Sequence, residues 1–367
     1  MKKTLVAFAA LSAIAGMAQA QSSVTLYGLV DAYVGQTSKE VTSTIPGVAS
    51  AKLKQTAVNG SGQNNSRWGL KGTEDLGGGM KALFVLEGGF QPDTGANATI
   101  SNQGGGLFGR QAWVGLSSGF GTVSLGRQYT AYDALRGATN MIYDSNFATT
   151  STVWGTGIAD YQNRASNSVA YTSPDFAGFS GSVVYGAGEN KTAATDAESN
   201  ASLMIKYANG PLLVGFAHQR EKQVIGGNYF GSGANVGVAA GPVAFSSTRK
   251  YNLLGASYDF GVAKVTGQYN EAKGEIGLTT SAKDKEFDVG VSVPFGAAAV
   301  AAGYSRSKSD ASNNTHNKGT GVSLLGTYAL SKRTNLYTGF LVTKVQSSNA
   351  ATETKASTFG LGVKHLF

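Results

Sequence analysis

Short runs of alternating apolar and polar residues recur from Val24 to the last residue. After the first twenty positions, no run stays apolar for the ~18 residues that a membrane-crossing helix requires. Successive side chains of a strand point to opposite faces, so each run carries one oily face and one wet one. In the first run Val24, Leu26, Gly28, Val30, Ala32 and Val34 share a side. Thr25, Tyr27, Leu29, Asp31 and Tyr33 share the other, which alone carries a charge and should face water. SRWGLKG sets Trp68 and Leu70 against Arg67 and Lys71; MKALFVLEGGF sets Ala82, Phe84, Leu86 and Phe90 against Lys81 and Glu87. RQAWVGL places Arg110 on the side of Ala112 and Val114, with Trp113 opposite. In TVSLGRQY, Ser124 and Gln128 oppose Val123 and Leu125, and the oily face stays open between lipid and a subunit contact.

Sixteen such strands fit the chain, the last being STFGLGVKHLF. Tight turns such as EDLGGG, SSGFG and Asn209-Gly210-Pro211 alternate with polar stretches: Gln36 to Asn65, Glu189 to Ser202, Glu221 to Thr248, Lys308 to Lys318 and Gln346 to Thr354. Hydrocarbon offers no partner to backbone N–H and C=O groups, so only helices or a closed sheet can cross it. With helices excluded, the pattern predicts an all-β fold, a 16-stranded antiparallel transmembrane β-barrel wide enough for a water-filled channel. Charged residues make up 14% of the chain, against about 25% in soluble domains. There is no Cys, which removes disulfides and thiolate metal sites and leaves backbone pairing to hold the wall. The net charge of +8 is spread along the chain, which suits a basic lumen better than a nucleic-acid surface.

Met1-Lys2-Lys3, the apolar Leu5 to Met17 and Ala18-Gln19-Ala20 read as a secretory signal peptide, residues 1–20, cleaved to leave a barrel domain over 21–367.

SSVTLYGLVDAYV, SRWGLKGTEDLGGGMKALFVLE, RQAWVGL with GTVSLGRQYTAYDAL, and the terminal Phe367 together resemble the trimeric general porins of the Gram-negative outer membrane, closest to their β-proteobacterial branch. The resemblance covers essentially the whole mature chain. It implies that the third extracellular loop, here 128–163 with a helical turn at Tyr132 to Arg136, folds inward and narrows the pore. By position it carries over Arg67, Arg110 and Arg164 as wall arginines, with Asp133 and Asp144 facing them from the loop. Where relatives have a Pro-Glu-Phe-Gly tip, this chain reads Ile142-Tyr143-Asp144-Ser145-Asn146-Phe147. The resemblance further implies a homotrimer among outer-membrane lipids and lipopolysaccharide, and Phe367 as a signal to the outer-membrane insertion machinery.

Asp31, Lys71, Lys81, Glu87 and Arg127 are further candidate lumen charges. Rows of opposed Arg and Asp would set a transverse field that favours dipolar solutes, and the basic excess predicts anion preference. Against this stands the plain reading that all are solvated charges. Gly104-Gly105-Gly106-Leu107-Phe108-Gly109 fits a dinucleotide motif by letters but leads into a strand, and Gly115-Leu116-Ser117-Ser118-Gly119 fits a nucleophile elbow but sits in a hairpin. His218, His316 and His365 lack metal-ligand spacing. The expectation is therefore no enzyme, no cofactor and no metal: passive diffusion of small hydrophilic solutes and ions. The alternatives are a solute-specific channel, a barrel enzyme using His218 or His316, or an adhesin.

Overall fold

The computed structural model describes residues 23–43, 45–47, 49–98, 106–158, 160–191, 196–225, 245–276, 280–312, 314–348 and 351–367. The expected leader, 1–20, lies outside them, as does the Gly104-Gly105 start of the glycine motif. Among the described residues the β-segments are β1 (Ser23–Ser43), β2 (Ala51–Gly60), β3 (Arg67–Gly77), β4 (Met80–Gly89), β5 (Gln111–Ser118), β6 (Gly121–Tyr129), β7 (Arg164–Thr172), β8 (Phe179–Ala187) and β9 (Ser199–Asn209). They continue as β10 (Leu212–Ile225), β11 (Phe245–Asp259), β12 (Lys264–Ile276), β13 (Thr280–Phe295), β14 (Ala298–Ala311), β15 (His316–Ala329), β16 (Thr334–Ser347) and β17 (Thr352–Leu366).

From β3 onward each segment pairs antiparallel with the next, and β17 returns to β1 from Leu29↔Leu366 to Ser43↔Thr352, so the sheet has no open side. The other edge of β1 is shared. Its start pairs with β3, Ser23↔Thr73 to Leu29↔Arg67, and its continuation pairs with β2, Ala32↔Gly60 to Val41↔Ala51. β2 and β3 are thus two halves of one wall strand, parted by residues 61–66, and the barrel has sixteen strands.

The stretch from Gln36 to Asn65, expected as a loop, instead continues β1 to Ser43 and returns as β2. Strands likewise enter the expected loops at 308–318 and 346–354. Where a wall rises clear of lipid both its faces are wet, so polarity no longer marks a strand's end. The wall is uneven: β5 to β8 span 8 or 9 residues, whereas β10 to β17 span 13 to 16.

Alternation sorts the two faces as expected for β1: Val24, Leu26, Val30 and Val34 are exposed, while Leu29, Asp31 and Tyr33 are buried. Val114, Val123, Leu125, Val169, Phe216, Phe287 and Val322 continue this outer apolar surface around the barrel, so the apolar side of β6 points outward. Phe367 completes the closure. Its N–H donates to the Gly28 carbonyl at 3.0 Å, and its ring covers Gly28, where a Cβ would collide with it.

Candidate functional site

Between β6 and β7 the chain forms α1 (Ala131–Thr139) and α2 (Thr150–Val153). The expected helical turn at Tyr132 to Arg136 is the middle of α1. Thr130 caps it, its hydroxyl accepting from the Asp133 N–H at 3.2 Å. Tyr132, Leu135, Phe147 and Val153 are fully buried, each contributing about 1.5–3 kcal/mol of apolar burial. They pack against the face of β9 to β16 opposite to the exposed apolar one. Glycines on that face make the room: a Cβ at Gly215 would stand 2.7 Å from Leu135, one at Gly290 2.5 Å from Met141, and one at Gly321 2.8 Å from Val153. At Gly255 and Gly339 it would overlap Thr139 and Phe147.

Wall carboxylates hold this segment by its backbone. Asp284 accepts from the N–H groups of Gly157 and Ile158 at 3.1 and 2.9 Å. Glu286 accepts from the N–H of Gly155 at 2.6 Å, and Asp288 from the side-chain amide of Asn140 at 3.1 Å. Glu221 accepts from the N–H of Gln162 at 2.6 Å and pairs with Arg249 at 2.9 Å. Neighbouring amides add to this, with Gln268 donating to the Arg136 carbonyl at 2.6 Å. None of these anchors was singled out in the sequence. The signal was present, since D-x-E-x-D on one strand lines up three carboxylates that repel unless donors meet them.

Asp31, expected as a lumen charge, clasps the break between β2 and β3. Its carboxylate accepts from the consecutive N–H groups of Gly62, Gln63 and Asn64 at 3.0, 2.8 and 2.8 Å, and from the Tyr337 hydroxyl. The same insert holds the tip of the 130–163 segment: Asn146 donates its N–H to the Ser61 carbonyl at 2.9 Å and its side-chain amide to Gly60 at 2.8 Å.

Beside the clasp, Arg67 pairs with Asp144 at 3.1 Å, both partly exposed, and Asn65 donates to the same carboxylate. Arg110 pairs with Glu87 at 2.8 Å, both buried, and Tyr27 also donates to Glu87 at 3.0 Å. The Tyr129 hydroxyl accepts from Arg110 and from Arg164 at 2.6 Å each, and the Arg164 guanidinium lies 4.2 Å from the Tyr129 ring centre. Glu87, Arg110, Tyr129 and Arg164 thus form one row. Lys71 lies exposed over the Tyr27 ring, and Lys81 is exposed near the β3–β4 turn.

Three expectations change. Arg110 does not share the outward face of Ala112 and Val114: β5 begins at Gln111, Arg110 sits in the bend before it, and strand parity does not reach it. Arg127 stands opposite Ala112, in the row of exposed Val114 and Leu125 rather than with the lumen charges; it donates to the Gly109 carbonyl at 2.7 Å and to Ser166. Asp133 meets no wall arginine directly. It is buried within the segment, accepting from the hydroxyls of Tyr143 and Tyr161.

Burial raises the Asp133 carboxyl above the usual aspartate value, although both hydroxyls pull the other way. Burial likewise drives the phenols of Tyr143 and Tyr161 well up, with Asp133 reinforcing it. Arg136 is the opposite case. Burial lowers it, but Asp160 at 2.7 Å and the nearby tyrosines outweigh that, and the guanidinium stays charged between the Trp154 and Tyr161 rings, 4.7 Å from each. Among the described residues no group of three His, Asp or Glu could hold a metal ion.

A profile of the Gram-negative porin family matches residues 7–364. The chain belongs to that family. This porin is 35% identical over 304 residues to outer membrane porin protein 32 of Delftia acidovorans, covering 80% of this chain and 76% of that one. It is 31% identical to an outer membrane porin protein of Bordetella pertussis, with both chains covered in full. Among solved structures it resembles an anion-selective porin from Comamonas acidovorans, at TM-score 0.74 and 28% identity, over 95% of this chain and 100% of that one. It is an outer-membrane diffusion channel of the β-proteobacterial kind.

Proposed function

We propose that solutes cross this porin through a constriction made by residues 128–163, folded into the lumen as the third extracellular loop, and by the row Arg67, Arg110 and Arg164. The supporting contacts run from the segment to Asp284, Glu286 and Asp288 on one side and to the insert at 61–66 on the other. Hydrophilic solutes and ions diffuse passively, and anions pass preferentially. One observation carries the preference: carboxylates of the inner face are buried beneath the segment, while Lys71, Lys81 and part of Arg67 remain in water. A buried carboxylate held by protein donors offers a passing cation no ligand, whereas wetted cations attract anions along the path. The relative of known structure that is named anion-selective agrees with this.

Planar-bilayer recording under a KCl gradient tests it. The reversal potential should take the sign of chloride preference, and cation preference would overturn it. We read the assembly as a homotrimer, in keeping with the trimer form described for a Vibrio cholerae outer membrane protein of the same fold; current steps in multiples of three would support it. Signal-peptide cleavage after Ala20 and recognition of Phe367 by the insertion machinery complete the reading. Reaction chemistry has no part in it: His218 bonds Asn252 and His316 bonds Asp310, both at 2.8 Å. An activity lost on replacing both His would reverse that.

The bridging of Arg110 and Arg164 through Tyr129 favours a second, narrower reading, a site for solutes bearing a carboxylate or phosphate. Saturable current block by one such solute would select it.

A further inference from the structure

A water-filled barrel is ordinarily lined with polar side chains. One stretch of this wall departs from that, on β3, β4 and β5 between Arg67 and the short turns. Its inner face carries Leu83, Val85 and Trp113. Parity fixes their side: Leu83 and Val85 alternate into line with Glu87, and Trp113 is opposite to the exposed Val114. The register sets Thr25, Lys71, Val85 and Trp113 in one row across four strands. The next row toward the turns runs Thr73, Leu83 and Gly115, and the one after it Asp75, Lys81 and Ser117. Lys71, Thr73, Leu83, Val85 and Trp113 line a hollow of about 250 Å³.

Packing does not account for this strip. Leu83, Val85 and Trp113 are half-buried, and none joins the apolar clusters that seat the 130–163 segment. The Trp113 indole N–H donates to the Gln111 side-chain oxygen at 3.2 Å, which orients the ring and leaves it π surface to offer. Two exposed cations frame the apolar patch. Lys71 stands four residues past Arg67, about 13 Å along β3, and Lys81 stands at the turn end. Among the described residues neither forms an ion pair: Asp75 faces Lys81 in register without reaching it, and Glu87 is engaged by Arg110 and Tyr27. Small inorganic anions would use the lysines and leave the apolar patch wet. A neutral apolar solute would do the reverse. A ring that bears a carboxylate satisfies both. Resting on the reading that solutes cross through this lumen, we propose that the hollow is a binding site for aromatic carboxylates. The ring lies against Trp113, Val85 and Leu83, and the carboxylate meets Lys71, with Lys81 adding attraction from the turn end. The site is distinct from the bridge of Arg110 and Arg164 through Tyr129, because it reads the solute's ring as well as its charge.

Planar-bilayer recording of chloride current through the full chain, with benzoate, acetate or benzyl alcohol added, tests it. Benzoate should block saturably, at a concentration at least about tenfold below that required of either other solute. Trp113→Leu should bring benzoate to the level of acetate, and Lys71→Gln should weaken its block several-fold. Trp113→Phe, which keeps a ring, should retain most of the block. Fluorescence reads the site without current: benzoate should quench part of the indole emission of the parent in detergent, and that part should be missing from Trp113→Phe. Equal block by benzoate and acetate in the parent overturns the proposal, whether or not any variant folds. So does a conducting Trp113→Leu variant that keeps the parent's preference for benzoate. Quenching in the parent without any chloride current would instead overturn the channel reading and leave the binding site to stand by itself.

Discussion

Asp133 and Asp144 were expected to play one part and play two. Asp144 reaches Arg67 across the insert, so Asp144→Asn removes a partly exposed ion pair, worth about 0–1 kcal/mol, and leaves the arginine to the solution. The expected result is a barrel of nearly unchanged stability whose reversal potential moves further toward chloride. Asp133 serves its own segment. Its carboxyl is raised in the folded state, so that state holds the proton more tightly than the unfolded chain does. Its contribution is therefore greatest below the ordinary aspartate range and declines as pH climbs through the raised value. Amide exchange in α1 should accelerate from acidic to neutral pH by more than the intrinsic chemical rate, and Asp133→Asn should remove the excess. Arg67, Arg110 and Arg164 were picked out through the family resemblance; of their faces, alternation made that of Arg67 legible, opposite Trp68 and Leu70. The face of Arg110 was not, because parity is defined only inside a strand and Arg110 stands one residue outside.

At the scale of elements, the 130–163 segment is a second layer bound to the wall by carboxylates, amides and glycine-made hollows. Gly339→Val would drive two methyl groups into the Phe147 ring, an overpacking that costs about 1–3 kcal/mol and that the segment relieves by lifting away. Single-channel conductance should rise while barrel strand content by circular dichroism stays constant. The clasp at Asp31 should matter more for the wall. Asp31→Asn converts charge-assisted bonds from three N–H groups into ordinary ones, and about 1.5–3 kcal/mol should be lost, seen as a lower unfolding temperature in detergent. The short turns and the terminal strand were plain in the text, because Gly-rich turns end alternation sharply. The insert at 61–66 was hidden in a polar stretch, since β2 has water on both sides and its periodicity carries no oily face.

Taken whole, the barrel was readable because the constraint behind it is severe: every backbone group in hydrocarbon must find a partner, and sixteen alternating runs leave one arrangement that supplies it. The uneven height of its rim was not readable, being set by pairing above the lipid, where composition is indifferent. The clasp that spans this assembly has a consequence for its making. Tyr337 and Asp31 lie 306 positions apart, and they meet only when the two ends of the sheet come together. Asn146 hangs from the eyelet this meeting tightens. A half-sewn cylinder therefore leaves Asn146 and the segment it belongs to untied on that side until the seam shuts.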